Sequence, residues 1–399
     1  MPNEAPLIVH VIHRLDVGGM ENGLVNLINH MPVEKYRHAI VSLTESTSFR
    51  ERIQRNDVEC FSLHKKPGHD FRLYVRLWKL LRRLRPAIVH TRNLAAVEAI
   101  VPAALAGVPC RVHGEHGRDL QDVDGTKRRY QLLRRAIAPL VHRFIALSGE
   151  LASYLSEAVG VAPSKVARII NGVDVRKFRP ATGGRNPLPE QSSVDASDGL
   201  VIGTVTRMQA VKDPLTLVRG FAKLVSGALS TPVKLVMVGD GPLLGDVADA
   251  VRSLGMEEHV WLAGSRDDVP GLLQSFDVFA LSSRVEGISN TVLEAMATAL
   301  PVVATNVGGN DELIEDKKTG ILVPAGSPEA IAAALAYYVE DHPEAIKEHG
   351  RAGRERAERS FDIAVMVARY LEVYDGVMAQ RGLEIRADVS EGSTSACAG

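Results

Sequence analysis

The sequence SRVEGISNTVLEAMATALPVVAT, residues 283–305, shows the repeating unit of this chain most clearly. The apolar run Val278–Leu281 before it predicts a buried strand, and Val302–Thr305 at its end predicts another. Between them, apolar residues recur with the spacing of a helix that is buried along one face. A strand, a helix and a second strand in this order are typical of parallel α/β architecture.

Two carboxylates belong to this unit. Glu286 follows the first strand and is followed by the flexible Gly287, whereas Glu294 lies about one turn into the helix, eight positions later. The residues that can cap this helix are Ser289, Asn290 and Thr291. A carboxylate among apolar neighbours is costly to bury alone. Glu294 therefore predicts either hydroxyl groups of a ligand or a salt bridge to Arg284 or another cation.

The same alternation runs through the whole chain. In the first half we predict strands at Leu7–His13, His38–Leu43, Ala87–His90, Arg111–Gly114 and Arg143–Leu147. In the second half we predict strands at Leu200–Thr206, Lys234–Val238, Val260–Ala263, Val278–Leu281, Val302–Thr305 and Ile321–Val323. Helices are predicted at Glu21–His30, Asp70–Leu84, Pro328–Glu340 and Asp362–Ala379. The predicted fold class is α/β, with two doubly wound Rossmann-like domains and a ligand at the carboxyl edges of their strands.

Composition indicates the domain boundaries. Residues 181–199 are rich in Gly, Pro, Ser and Asp, which predicts a linker. It separates an N-terminal domain, residues 1–180, from a C-terminal domain, residues 200–364. The small and polar residues 383–399 predict a disordered tail. A length of 399 residues is consistent with two domains.

Several function classes are disfavoured by composition. Three scattered cysteines indicate a reducing cytosol rather than a disulfide scaffold or a structural zinc site. We expect no signal peptide and no membrane-spanning segment, because no sufficiently long apolar run occurs. Nucleic-acid binding is also disfavoured, since the basic stretches lack interleaved aromatic residues.

Charge is divided unevenly between the two halves. Residues 1–180 carry 28 Lys and Arg against 17 Asp and Glu, whereas the remainder carries 19 against 31. The predicted helix Asp70–Leu84 has a leucine stripe on one face and five basic residues on the other: Arg72, Arg76, Lys79, Arg82 and Arg83. Such a face predicts either contact with an anionic membrane or an ordinary solvated helix surface.

Two cations follow the first strand of the C-terminal domain, in RMQAVKD. Arg207 and Lys212 lie at a strand end, where a doubly wound domain binds its ligand. Together they can neutralise a diphosphate, as a metal ion otherwise does. Surface cations in an ordinary loop are the structural alternative.

The N-terminal domain offers further candidates. Gly18 and Gly19 begin a helix after the first strand, where backbone amides can approach an anion, although the pattern is not the GxGxxG of hydride-transferring enzymes. His116 follows another strand and can donate a hydrogen bond to a ligand. We interpret the other strand histidines, His10, His13, His90 and His113, as packed or capping residues. The DVD at Asp122 and Asp124 is a weak metal candidate, because it lies in a polar loop.

In combination, these motifs resemble the retaining glycosyltransferases of family 4, which have the two-domain GT-B fold. The resemblance covers nearly all of residues 8–374. It rests on RMQAVKD, VGDGP, AGSRDDVPGLL, IINGVDVRKFRP, TGILVP and EGISNTVLEAMATALPVVATNVGGNDELI, which contains the EX7E motif. It implies that a C-terminal helix, about residues 365–382, packs back onto the N-terminal domain.

The resemblance also implies roles for matching residues. Glu286 would contact the donor sugar and Glu294 the nucleotide ribose, while Arg207 and Lys212 would hold the diphosphate. His116 would lie near the donor sugar. The remaining donor contacts implied are Gly18, Gly19, Arg266, Val269, Gly287, Ile288, Ser289 and Asn290. No cofactor and no divalent metal would be required.

The implied reaction moves a sugar from a nucleotide diphosphate sugar to an acceptor hydroxyl with retained configuration. The opening HVIHRLDVGGMENGLVNLI and HGEHGRD further resemble a bacterial subgroup linked to exopolysaccharide synthesis in PEP-CTERM/exosortase systems. That implies a glycan or polyprenyl-linked acceptor and work at the cytoplasmic face of the membrane. Two alternatives remain open: a nucleotide-sugar 2-epimerase of the same fold and a non-catalytic subunit that binds nucleotide sugars.

Overall fold

The computed structural model describes residues 5–68, 70–117, 122, 125–227 and 229–383. They form two α/β domains, each built around one fully parallel sheet. The predicted fold class is thereby confirmed. The predicted tail lies outside the described residues, apart from Leu383.

The N-terminal sheet has seven strands in the order β3-β2-β1-β4-β5-β6-β7. The strands are β1 (Leu7–Ile12), β2 (Arg37–Ser42), β3 (Glu59–Ser62), β4 (Ile88–Arg92), β5 (Cys110–Glu115), β6 (Arg143–Ala146) and β7 (Val166–Arg168). All five predicted strands are present. The two that were not predicted, β3 and β7, are short edge strands without a buried apolar run.

The C-terminal sheet has six strands in the order β10-β9-β8-β11-β12-β13. The strands are β8 (Leu200–Val205), β9 (Val233–Val238), β10 (Val260–Gly264), β11 (Val278–Leu281), β12 (Val302–Thr305) and β13 (Gly320–Val323). All six predictions are confirmed to within one residue at each end. Strand order reverses between β1 and β4 and between β8 and β11, which places a binding crevice at these positions.

Helices cover both faces of each sheet. Those of the N-terminal domain are α1 (Gly19–His30), α2 (Phe71–Leu84), α3 (Asn93–Val97), α4 (Ile100–Leu105), α5 (Arg128–Ile137) and α6 (Gly149–Ser153). Those that follow are α7 (Pro214–Val225), α8 (Leu244–Ser253), α9 (Val269–Leu273), α10 (Asn290–Ala297), α11 (Asn310–Leu313), α12 (Pro328–Ala336), α13 (Ala345–Ser360) and α14 (Ile363–Ala379).

One predicted helix needs correction. The helix predicted at Pro328–Glu340 ends as an α-helix at Ala336 and widens into a π-helical turn, Tyr337–Asp341. The C-terminal helix spans Ile363–Ala379, within one residue of the predicted Asp362–Ala379 and slightly earlier than the residues 365–382 that the resemblance implies. The Asp362 side chain caps it by accepting a hydrogen bond from Ala364 N at 2.7 Å.

Helix α14 returns to the N-terminal domain. Its buried residues pack with Ile8, Ile88 and Cys110 of the first sheet. The crossing point is fixed by Val173, which donates to Phe361 O at 2.8 Å and accepts from Ile363 N at 3.0 Å. The domains are therefore tied together by packing at the C-terminus as well as by the linker.

The linker, residues 181–199, contains no helix or strand but packs against the C-terminal domain. Asn186 N donates to Gln274 O at 2.9 Å, and Ser275 Oγ donates to Pro187 O at 3.1 Å. Arg185 also forms an ion pair with Asp277 at 3.4 Å.

Candidate active site

The predicted site residues lie in loops at the carboxyl edges of the two sheets. Gly18 and Gly19 follow β1 and His116 follows β5, while Arg207 follows β8 and Glu286 follows β11. The loops after β1, β8 and β11 flank the two positions of strand reversal, which is where this architecture binds ligands.

Glu286 and Lys212 are in direct contact. Lys212 Nζ lies 2.5 Å from Glu286 Oε1, and Ser283 Oγ donates to the same oxygen at 2.7 Å. The pair is mostly buried, since the Glu286 side chain is 6% exposed and that of Lys212 is 23% exposed. Two residues separated by 74 positions in the chain thus form one charged unit in the cleft.

Two glycines of the loop after β12 pack against the backbone of Glu286 and Gly287. Gly308 has φ +57, and a Cβ atom at this residue would lie 1.9 Å from Glu286 O. The next residue, Gly309, donates to Gly287 O at 2.9 Å and packs against Ile288. Because glycine has no Cβ, the Gly308–Gly309 turn after β12 can pack directly against the backbone of Glu286 and Gly287.

Glu294 lies within α10 and carries no salt bridge or hydrogen bond from its carboxylate among the residues that the structure describes. Burial raises the pKa of this carboxyl to about 7, although Lys177 and Arg52 oppose the shift. The suggested partner Arg284 instead binds Asp213 at 2.7 Å, so that alternative is wrong. A desolvated carboxyl without a partner is suited to bind ligand hydroxyls.

Arg207 is exposed and faces the N-terminal domain. A methyl group built on Gly18 would lie 3.6 Å from Arg207 Nη2. The loop before this arginine is held by Gly239, which has φ +131 and whose added Cβ would lie 1.9 Å from Thr206 O. The glycines of VGDGP therefore permit the close packing that positions Arg207.

Hydrogen bonds connect the two domains beside this point. Asn290 Nδ2 donates to Gly19 O at 3.2 Å, and Asn171 Nδ2 donates to Asn290 Oδ1 at 2.8 Å. A Cβ atom at Gly287 would lie 3.2 Å from His116 O. Ser289 has a different role, since its hydroxyl accepts from Val292 N at the start of α10.

His116 is held in the cleft by its backbone. Its N–H donates to Asn93 Oδ1 at 2.7 Å, while its Nε2 is buried without a hydrogen-bond partner among the described residues. The Nε2 atoms of His116 and His90 lie 2.5 and 3.0 Å from a Cβ built on Gly114, so both face the space above this glycine. Burial, followed by the charge of Arg92, lowers the pKa of His116 to about 3, which keeps the ring neutral.

The other strand histidines show a mixed outcome. His10, His90 and His113 are buried and hydrogen-bonded, as interpreted from the sequence. His13 is exposed and therefore not packed. Its position at the end of β1 carries it beyond the sheet.

Arg266 and Val269 lie farther from the charged pair. They follow β10, which is separated from β11 by β9 and β8. Arg266 is paired with Asp268 at 2.6 Å and lies over the Trp261 ring at 5.9 Å. This places them at the outer edge of the second sheet, away from Glu286.

The structure brings in residues that the sequence analysis missed: Glu21, Arg92, Asn93 and Asn171. An acid two positions after the Gly pair, and the Asn in IINGVD, were available signals. Within the described part of the chain, no group of three His, Cys, Asp or Glu residues could hold a metal ion. Asp124 of the DVD lies outside the described residues, while Asp122 accepts from Lys127 N at 2.9 Å.

Both domains match known families. Residues 17–177 match the family described as Glycosyltransferase Family 4, and residues 199–341 match Glycosyl transferases group 1. The chain is 29% identical over 312 residues to UDP-Gal:alpha-D-GlcNAc-diphosphoundecaprenol alpha-1,3-galactosyltransferase of Escherichia coli. That alignment covers 76% of this chain and 79% of that protein.

Solved structures show the same architecture. A glycosyltransferase from Rickettsia africae ESF-5 aligns with a TM-score of 0.79 and 21% identity, covering 94% of this chain and 99% of that one. Anabaena Alr3699/HepE in complex with UDP aligns with a TM-score of 0.75 and 18% identity, covering 92% and 99%. The two family matches together span more than half of the sequence, and the chain therefore belongs to the family 4 glycosyltransferases with the GT-B fold.

Proposed function

We propose that this enzyme transfers a sugar from a nucleotide diphosphate sugar to an acceptor hydroxyl and retains the anomeric configuration. The observation that carries the proposal is the Lys212–Glu286 pair in the crevice, at 2.5 Å, with Arg207 facing the Gly18 loop of the other domain. A cation and a carboxylate in contact can bind a phosphate and a sugar hydroxyl that lie side by side. The UDP bound to Alr3699/HepE supports a nucleotide donor.

Each part of the donor has residues suited to it. Arg207 and Lys212 bind the diphosphate, and Glu286 accepts hydrogen bonds from the sugar hydroxyls. Glu294, which has no partner of its own in the described structure, accepts from the ribose hydroxyls. The neutral His116 donates to the sugar through Nε2. In binding, the ligand supplies the partners that the Glu294 carboxylate and His116 Nε2 lack among the described residues.

The chemical step proceeds on one face of the sugar. The bond from the anomeric carbon to the leaving phosphate oxygen breaks, and the bond from that carbon to the acceptor oxygen forms on the same side. The acceptor proton passes to the departing phosphate oxygen. Arg207 and Lys212 stabilise the negative charge that grows on the diphosphate, so we propose that no divalent metal is needed.

The acceptor that we propose is a saccharide linked to a polyprenyl carrier, in exopolysaccharide or other cell-surface glycan synthesis of the PEP-CTERM/exosortase type. The name of the Escherichia coli relative, which includes GlcNAc-diphosphoundecaprenol, supports such a carrier. The resemblance of the opening segment to that subgroup supports the pathway.

Helix α2 supports contact with an anionic membrane. Phe71, Val75 and Trp78 are 76%, 54% and 38% exposed, although each is apolar. Basic side chains flank them on the same helix, and Leu105 of α4, which packs beside α2, is 73% exposed. Exposed apolar groups next to cations are the features of a surface that lies in the headgroup region. No helix in the described part of the chain is long and apolar enough to span a bilayer.

Flotation with vesicles tests the membrane contact. The wild type should float with phosphatidylglycerol vesicles and not with phosphatidylcholine vesicles, and the double variant Arg72→Glu, Lys79→Glu should not float with either. The double variant Arg219→Glu, Lys223→Glu is the charge-matched control, because both side chains are exposed on α7 of the C-terminal domain. Wild-type flotation by the Arg72→Glu, Lys79→Glu variant would contradict the assignment to α2.

A ligand panel tests the reaction. Thermal unfolding with UDP, GDP and their sugars should show a raised melting temperature for one nucleotide class, because a ligand that binds only the folded state stabilises it. Incubation of that donor with a lipid-linked acceptor in chelator should give a product of retained anomeric configuration. An inverted product would exclude the same-face step, and a changed sugar still attached to its nucleotide would indicate an epimerase.

A further inference from the structure

Glu21 lies in the cleft without an assigned role. It belongs to the first turn of α1, two positions after the Gly pair. A methyl group built on Gly18 would lie 2.0 Å from Glu21 Oε2 and 3.6 Å from Arg207 Nη2. The carboxylate of one domain and the guanidinium of the other therefore flank a single point between the domains.

Within the described structure, the hydrogen bond that this carboxylate accepts comes from its own backbone N–H. No salt bridge and no hydrogen bond from another residue reaches its oxygens among the residues described. By contrast Asp16, five positions earlier, is paired with Arg14 at 3.2 Å and accepts from Val17 N at 2.8 Å. Glu21 thus differs from its neighbour, because its carboxylate accepts from its own backbone N–H alone and its remaining lone pairs are open to a ligand.

The charge at this point selects the kind of ligand. The N-terminus of a helix normally attracts an anion, but here a side-chain carboxylate already occupies that position. The charged groups that face it are Arg207, Asp16 and Arg92, and burial raises the pKa of its carboxyl. A second anion would be repelled by Glu21, whereas a hydroxyl can donate to it.

We propose that Glu21 positions the acceptor by accepting a hydrogen bond from a hydroxyl of a neutral sugar, next to the hydroxyl that attacks the donor. The inference rests on the proposed function, because Arg207 is the group that locates the donor diphosphate beside this point. It specifies the acceptor class: the reacting end is an uncharged sugar, and any phosphate of the acceptor lies away from α1. Glu21 neither gains nor loses a proton in the overall transfer.

Two substitutions and one control test the inference. Glu21→Ala removes the acceptor of the hydrogen bond, Glu21→Gln keeps the shape and a neutral acceptor atom, and Asp16→Asn removes an acid from the same loop. Initial rates are measured with the donor that gives the largest thermal shift, using an alkyl N-acetylglucosaminide as neutral acceptor and an alkyl glucuronide as anionic acceptor. Hydrolysis of the donor in the absence of acceptor is measured in parallel.

Glu21→Ala should lower kcat/KM for the neutral acceptor about 10- to 100-fold, as expected for a lost hydrogen bond to a charged group. Donor KM and donor hydrolysis should stay within about twofold. Glu21→Gln should restore part of the loss and improve the glucuronide relative to the neutral acceptor. Asp16→Asn should behave like the wild type.

Three results would count against the inference, and they can be told apart. Wild-type acceptor kinetics in Glu21→Ala would overturn the role of Glu21 and leave the proposed function standing. An equal rise in donor KM would show that Glu21 acts by holding Arg207 instead, which also overturns it. No transfer by the wild type with any donor and acceptor would overturn the proposed function itself, and the inference with it.

Discussion

Replacing Lys212 by Ala is the most direct test of the charged pair. The substitution removes the ammonium group that lies 2.5 Å from Glu286 Oε1 and leaves this carboxylate with the Ser283 hydroxyl at 2.7 Å. Two consequences follow, one for the reaction and one for the fold. The structure allows each to be given a magnitude.

For the reaction, a preorganised group that stabilises charge growing in the transition state contributes about 3–4 kcal/mol, or roughly 10²- to 10³-fold in kcat. For the fold, breaking a fully buried ion pair costs about 3–5 kcal/mol. Lys212 is 23% exposed, and Glu286 opens towards the cleft, so water can replace part of the lost interaction. We therefore expect a cost of only about 1–2 kcal/mol to the free energy of unfolding.

The assay follows release of the nucleoside diphosphate in the presence of donor and acceptor, with the melting temperature measured on the same sample. Lys223→Ala is the matched control, because this lysine of α7 forms an exposed ion pair with Glu329 at 3.1 Å. Turnover of Lys212→Ala within about threefold of the wild type would refute the role of Lys212.

A double-substitution cycle with Glu286→Gln separates two explanations of a loss. If Lys212 acts only by holding Glu286, the double variant should be no slower than the slower single variant. If each group contacts a different part of the donor, the two losses should combine, apart from a coupling term expected for residues in contact.

Four further predictions concern the surroundings of this pair. The raised pKa of Glu294 means that, between about pH 4.5 and 7, the folded state binds a proton that the unfolded state releases. The stability that this proton contributes should therefore be lost as the pH rises from about 4.5 to about 7. Glu294→Gln should flatten this dependence when unfolding is measured at a series of pH values. Nucleotide affinity should rise with pH over the same range if the ribose binds the ionised form, and calorimetry that shows no proton release would contradict this. Gly308→Ala should lower both stability and turnover, because the added Cβ would clash with Glu286 O. Gly326→Ala should lower stability alone, because this glycine has φ +72 but open space around it. Equal turnover in the two variants would refute the account. Asn290→Ala should raise donor KM, because it removes the hydrogen bonds between the two domains and so weakens their closure. With donor bound, the variant should have a larger radius of gyration than the wild type, and an equal radius would contradict this explanation.

The parts of the fold that the sequence predicts are those governed by local burial. Strands β11 and β12 are apolar runs between helices, and β8 opens with an apolar run after the linker; the predicted bounds of all three agree with the structure to within one residue. Strands β3 and β7 at the sheet edges lack this signal, since pairing with a neighbour rather than burial makes them strands. The π-helical turn after α12 is likewise set by packing and has no local pattern.

The candidate site divides in a similar way. Strand ends predict where Arg207 and Glu286 lie, because parallel strands share one edge. The sequence does not predict the contact of Asn290 with Gly19, or the position of Glu21 beside Arg207, since both depend on how one domain is oriented against the other. The relative orientation of the domains is set in part where the chain returns to the N-terminal domain, at the hydrogen bonds of Val173 with Phe361 and Ile363.

The histidines of the first sheet explain how a single positive charge is buried behind the cleft. Arg92, 1% exposed, donates through Nη1 to His10 Nδ1 at 2.9 Å, so the proton of His10 is on Nε2, which donates to His38 Nδ1 at 2.9 Å. Burial lowers the pKa of His10, and that of His38 to about 3, so neither ring adds charge. The neutral rings accept hydrogen bonds from Arg92 without adding a negative charge that would offset the guanidinium. The positive charge of Arg92 therefore acts on Glu21 in the cleft. Behind the sheet, Tyr374 of α14 forms a hydrogen bond with His90 at 2.8 Å. The C-terminal helix therefore contributes to the electrostatics behind the cleft as well as joining the two domains.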